Sequence, residues 1–421
     1  MTTNVDSSVV DPGFREADSG RPPERSSGRR GLGAAGALVM LAAFAMTRFV
    51  TADATVASES RATATRTVAP TDAGPGNVAA LEAAVASDPT DLRSTQALAI
   101  AYVRSAADGD PSFYDLAERA LDRADGIVRD DDATLLGRAT LALSRHEFAT
   151  ARDLADRVLA TNADLDAALV VRFDAAIELG DYAMAANLLD RLTVSEPGLA
   201  VYARVSYFRQ LNGDLDGAIE AMRAAATAGA DAPIDQAEVR ALLGDLLWLR
   251  GDAEGALAEF DAALADRPAL PVAIVGRARA LAATGSLQVA IEELERLTQR
   301  LPIPAALELL GELHDDAGDR TSAQRAWSTA RVGYELQAAS GQVVDLEAAI
   351  FEANHGNPAT ALAYAQQAFA ARPDNVFAAD ALAWALHING DDAGAAELAR
   401  TATRLGTVER GLRVRSESLL D

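Results

Sequence analysis

The 421-residue chain carries 62 acidic residues against 38 basic ones, all of them arginine, for a net charge of −24. Such an acid-rich surface repels phosphate backbones and disfavours nucleic acid as a partner. The chain has no cysteine, which excludes disulfides, thiol catalysis and cysteine-ligated zinc or iron–sulfur centres.

Aromatic residues make up only 5% of the chain, and its hydrophobic content is dominated by alanine. Strands need Val, Ile, Tyr and Phe to cover a pleated surface, whereas Ala, Leu, Glu and Arg favour helix. The composition therefore predicts an all-α protein.

Residues 1–30 are rich in Ser, Pro, Gly and Arg, too polar to bury a core, and read as a disordered cytoplasmic leader. From Gly31 to Thr47 the chain runs without a charge, and the apolar run continues past Arg48 through Phe49 and Val50. Residues 31–50 match the ~20 residues that a membrane-spanning helix needs, with Arg48 able to snorkel to the headgroups. Arg21, Arg25, Arg29 and Arg30 precede the run, so the positive-inside rule keeps the N-terminus cytoplasmic and places the rest outside. A retained signal anchor fits the long polar leader. A signal peptide cleaved near Ala52 or Ala54, a twin-arginine signal at Arg29-Arg30 and a buried core helix are the alternatives. Residues 51–76, rich in Ala, Thr, Ser, Pro and Gly, read as a flexible linker.

From Leu92 the chain becomes periodic. Gly followed by a polar residue occurs at Gly180, Gly213, Gly251, Gly285, Gly318, Gly356 and Gly390, in steps of 33 to 38 residues. Five residues after each comes alanine, and twelve after comes Ala or Leu. Leu189, Met222, Phe260, Leu294 and Trp327 stand nine after, and Pro197, Pro268, Pro302 and Pro373 seventeen after. Seven before, the residue is small except at Phe173. Glycine would end a first helix in a left-handed backbone, and small residues would let two helices cross closely. The larger residues would fill the gap between hairpins, and proline would stop the second helix.

This pattern resembles the tetratricopeptide repeat family, with Leu243-Gly244, Gly251, Ala256, Phe260, Ala263 and Pro268 carrying the likeness most closely. Earlier units are looser: His146 stands at the turn position before Phe148 and Ala151, and the Leu92–Ala124 pair carries an insertion around Gly109-Asp110-Pro111. The runs Tyr102-Val103-Arg104 and Tyr202-Ala203-Arg204 are similar to those of a bacterial, membrane-anchored or secreted subgroup. The resemblance implies a right-handed superhelical solenoid of about nine helix pairs over 77–409, opened by a half-unit at Asn77–Ser87. Residues 410–421 read as a C-terminal tail.

By family analogy, the first helix of each pair lines a concave groove. Its inward positions are Tyr207, Gln210, Asp245, Trp248, Arg279, Glu308, Glu312, Asp380, Trp384 and His387. Polar and aromatic residues on such a wall suit a peptide or a docked helix, although the tryptophans serve equally as packing residues. The family's clamp for C-terminal carboxylates needs paired Asn and basic residues that are missing here, which disfavours chaperone-tail binding, and an acidic groove would instead suit a basic or neutral segment.

No phosphate loop, nucleophile elbow or H-E-x-x-H motif occurs. His314 with Asp315 and Asp316 offers metal-ligand types, but adjacent helix residues face different ways, so neither a metal site nor a cofactor is expected. The expectation is a non-enzymatic envelope scaffold that binds a protein or peptide. The alternative is an envelope enzyme, such as a cell-wall lytic activity, with its site hidden in the superhelix.

Overall fold

A computed structural model describes residues 75–195, 197–229 and 233–420. The expected leader, the membrane anchor over 31–50 and nearly all of the linker lie outside the described residues. Among the described residues, no helix is long and apolar enough to cross a membrane.

Twenty helices and no strand occur among the described residues. Helix α1 (Pro75–Ser87) precedes nine antiparallel pairs. The first four pair α2 (Leu92–Ala107) with α3 (Phe113–Ile127), α4 (Asp132–Ser144) with α5 (Phe148–Thr161), α6 (Asp166–Leu179) with α7 (Tyr182–Ser195) and α8 (Leu199–Leu211) with α9 (Leu215–Ala228). Next come α10 (Pro233–Arg250) with α11 (Ala253–Asp266), α12 (Pro271–Ala283) with α13 (Leu287–Arg300) and α14 (Pro304–Asp316) with α15 (Arg320–Ala339). The last pairs are α16 (Asp345–His355) with α17 (Pro358–Ala371) and α18 (Val376–Ile388) with α19 (Asp392–Ala402). Residues expected to form a tail instead make an additional helix, α20 (Arg410–Leu420), with Leu412 and Arg415 buried. Its Glu409 caps it, accepting from the backbone N–H groups of Gly411 and Leu412.

The repeated Gly-polar dipeptide does two jobs. Glycine ends the first helix in the left-handed region at Gly180, Gly213, Gly251, Gly285, Gly318 and Gly390, with φ between 83° and 91°. The next residue's N–H returns to the carbonyl five residues back, as from Asp181 to Ala176 at 2.8 Å, which satisfies an otherwise orphaned acceptor. That same polar residue then caps the second helix: Asp214, Asp252, Asp319 and Asp391 each accept from the N–H three residues on. Such a cap stabilises a helix by ~0.5–2 kcal/mol. Gly356 departs from the expected left-handed turn, with φ −132°. It is needed there for space, because a Cβ would collide with the Glu352 carboxylate, which accepts from Asn357 N–H at 2.8 Å.

The expected packing register holds. All seven alanines five residues after the glycines are fully buried, and the Ala/Leu positions twelve after are at most 3% exposed. Phe260 shows why the seventh residue before the glycine is small. A Cβ on Gly244 would stand 2.7 Å from its ring, and one on Gly276 would collide with it. Gly311 makes the same room for Trp327.

The superhelix then closes on itself. The end of the first helix in one pair meets the start of the first helix six pairs on. Gly109 faces Leu301, Val343 N–H donates to Arg145 O at 2.8 Å, and Asn375 Nδ2 donates to Glu178 O at 2.9 Å. Gly213 likewise faces the Gly406 carbonyl just before α20, which thus takes the place of a tenth first helix. Four successive units repeat one relationship, so adjacent turns of the coil are sealed edge to edge.

Candidate functional site

The expected groove residues come from five first helices, but few of them face solvent. Tyr207, Gln210, Asp245, Arg279, Glu308, Asp380 and Trp384 are buried, and Glu312, Trp248 and His387 are half-buried. The structure brings most of them together as an internal polar wall. Asp245 Oδ1 lies 3.4 Å from Arg279 Nη1, linking α10 to α12. Glu308 and Glu312, one helical turn apart on α14, both face His355 Nε2 on α16, at 3.7 and 3.4 Å. Asp380 on α18 accepts from Arg415 Nε at 3.0 Å. Helix α20 therefore lies along the wall that family analogy leaves open for a partner.

The two tryptophans are also engaged. The Arg410 guanidinium lies 5.8 Å from the Trp248 ring centre, a cation–π contact supplied by α20. Trp384 Nε1 donates to Asn354 Oδ1 at 3.1 Å, and its ring stacks on His387. His387, half-buried, sits 2.7 Å by Nδ1 from the Asp392 carboxylate. His314 stands 3.6 Å from Glu295 rather than converging with Asp315 and Asp316, whose side chains point to solvent.

Sequence reasoning misses half of this wall. Asp174 accepts two bonds from Arg204, at 2.9 and 2.7 Å, and Asp345 accepts one from Arg372 at 2.7 Å, all buried. His355, Glu347, Glu409 and Arg415 complete it. Carboxyls outnumber guanidiniums here, and withdrawing them from water raises their affinity for protons. Burial pushes Glu178, Glu308 and Glu347 up to about 7, Glu312 to about 8 and Asp245 to about 6, and it raises Asp174 and Glu409 as well. Burial also lowers the pKa of His355, against the pull of the Glu308 carboxylate.

Comparison with curated proteins gives no match. Among solved structures, the chain is similar to human IFIT1 in a dimer with PPP-AAAA, at 14% identity and TM-score 0.49, covering 75% of this chain and 72% of that one. It is also similar to the Cut9–Hcn1 hetero-tetramer of APC/C, at 13% identity and TM-score 0.45, covering 78% and 63%. Yeast Tom70 matches at 13% identity and TM-score 0.43, covering 81% and 84%. Residues 170–233, which span most of α6 and the helices α7 to α9, match the tetratricopeptide repeat family model.

Proposed function

We propose that this protein is a non-enzymatic scaffold that binds another protein through its helical repeats. The observation that supports this most directly is the continuity of the array. Nine helix pairs follow one another without interruption by another kind of element among the described residues. Stacked repeats of this kind present long, rigid surfaces that suit protein ligands. Because seven of the ten wall residues are buried, the partner docks at the rim, where Trp248 and His387 keep exposed surface.

The apolar run over 31–50 tethers the array to a membrane, with the repeats on the extracytoplasmic side and the cytoplasmic N-terminus behind it. The membrane and the protein ligand are then its two partners. Photo-crosslinking groups at Trp248 and His387 in the full-length chain, used in intact cells, test this reading. The expected result is one protein captured at both positions and not from a group on the outer helix at Val194. Capture is lost in Trp248→Ala chains that keep their helicity. Equal labelling from every position, or none from the rim, overturns the docking site. Release of the full-length chain by a salt wash of membranes overturns the tether.

A further inference from the structure

The sealed wall contains a constellation that packing alone does not explain. Glu308 and Glu312 occupy successive turns of α14, and His355 ends α16, the neighbouring first helix. One ligand atom from each lies within 4.8 Å of the others. Their side chains are 5%, 10% and 9% exposed. Glu308 Oε1, both Glu312 carboxylate oxygens and His355 Nε2 are buried without any hydrogen-bond partner. Buried polar atoms almost always find partners, so four orphans on three neighbouring side chains are unusual. The 3.7 Å separation is too long for a hydrogen bond, and the 3.4 Å one makes none. They suit two donors on one ion: tetrahedral bonds of 2.0–2.1 Å put donors about 3.3 Å apart, and the imidazole-to-carboxylate distances are 3.4 and 3.7 Å.

We propose that Glu308, Glu312 and His355 form a structural site for a divalent transition-metal ion of the Zn²⁺ or Mn²⁺ class. The donor set selects the class, since imidazole suits Zn and its neighbours, whereas Mg²⁺ and Ca²⁺ prefer all-oxygen sites. Charge balances: two carboxylates and a neutral imidazole present −2, which a divalent cation neutralises within a wall already crowded with acids. The surroundings hold the ligands in place. Trp327 stacks on the His355 ring with centroids 4.3 Å apart, and Phe351 lies against it at 5.8 Å. Trp327 Nε1 also donates to the Glu308 carbonyl at 3.3 Å, tying the stacked ring to the helix that carries both carboxylates. Such outer contacts fix ligand orientation in metal sites. A bound ion would crosslink the seventh and eighth pairs.

The test uses the full-length chain, stripped with chelator while unfolded and refolded with Zn²⁺, Mn²⁺ or Mg²⁺ chloride so that burial does not limit entry. Metal content after desalting and the thermal melt are then measured. The expected result is one Zn²⁺ or Mn²⁺ per chain with a higher Tm, and neither effect with Mg²⁺. Glu312→Gln and Glu308→Gln lower retained metal at least tenfold while leaving the metal-free melt unchanged or higher, because a neutral amide replaces a carboxyl that is costly to ionise where it is buried. His355→Gln does the same to metal content. If it fails to fold, the two glutamine variants at the carboxylates decide alone. Less than a tenth of an equivalent retained by the wild type, or equal retention by the carboxylate variants, overturns the proposal. The latter outcome would locate any bound ion on the acidic exterior.

Discussion

His146 Nδ1 lies 2.9 Å from the carbonyl oxygen of Val343, 197 residues further along the chain, while its own backbone sits at φ 62°. Because a carbonyl only accepts, Nδ1 must carry the proton, which fixes the neutral ring's tautomer. The position is the one that glycine fills in seven later turns, six of them left-handed. Here the left-handed conformation is kept by a residue whose side chain closes the seam between two turns of the coil and stacks on Phe148. Replacing His146 with alanine leaves the backbone cost and removes the contact, so stability falls by ~2 kcal/mol. The glycine variant recovers ~1 kcal/mol of that loss by relaxing the backbone. Denaturant melts rank the three chains, and hydrogen exchange at Val343 N–H rises in both variants.

Two other glycines separate backbone conformation from space. Gly180 and Gly251 have nearly equal φ, 83° and 88°. A Cβ on Gly251 meets nothing within 4 Å, whereas one on Gly180 collides with the Asp374–Asn375 backbone of the next turn. Gly251→Ala therefore costs ~1–2 kcal/mol, the left-handed term alone. Gly180→Ala costs more and opens the seam, and exchange speeds up at Val376, whose N–H donates to Tyr182 Oη at 3.0 Å. Equal costs at both positions would contradict the sealed coil.

Phe260 is fully buried between Gly244 and Gly276. Phe260→Ala leaves a cavity that neither backbone can fill and costs ~3–5 kcal/mol in a denaturant melt. Adding Gly244→Ala and Gly276→Ala to that variant refills part of the void, so the triple variant is more stable than Phe260→Ala. In the wild-type background each glycine change destabilises by overpacking.

These local relationships were readable in the sequence because each unit packs on its neighbour, and the neighbour lies one period away. Gly244, Ala256, Phe260 and Ala263 state their roles by spacing alone. The seam was not readable, because its partners lie six units apart and share no local pattern. Val343 and Asn375 look like ordinary loop residues until the superhelical pitch is known. His146 was the single visible trace, an exception at a glycine position. Helix α20 was hidden for a different reason. Arg410, Arg413, Arg415 and Glu417 make it look solvated, and Arg415 can be buried only because Asp380 is buried opposite it. Family analogy left these helix faces open to solvent, since it could not anticipate that acids and arginines on neighbouring first helices would meet.

The seam also makes stability depend on pH. Glu347, its side chain 13% exposed, lies beside His146, Asp345, Arg372 and Glu178, with its Oε2 buried and unpartnered. Burial raises its carboxyl to about 7, against 4.5 for the unfolded chain. A raised carboxyl favours the folded state fully below pH 4.5, and that contribution is lost as pH climbs through 7. Burial, with the Arg372 charge, lowers His146 to about 4, so its contribution runs the other way, present above pH 6.5 and lost as pH falls through 4. Comparing wild type with Glu347→Gln cancels the histidine, which both chains share. The two melt alike at pH 4.5, and the variant gains through pH 6 until it is the more stable by about 3 kcal/mol at pH 8. A difference that shrinks with rising pH would mean that Glu347 is held ionised by Arg372 rather than forced neutral by burial.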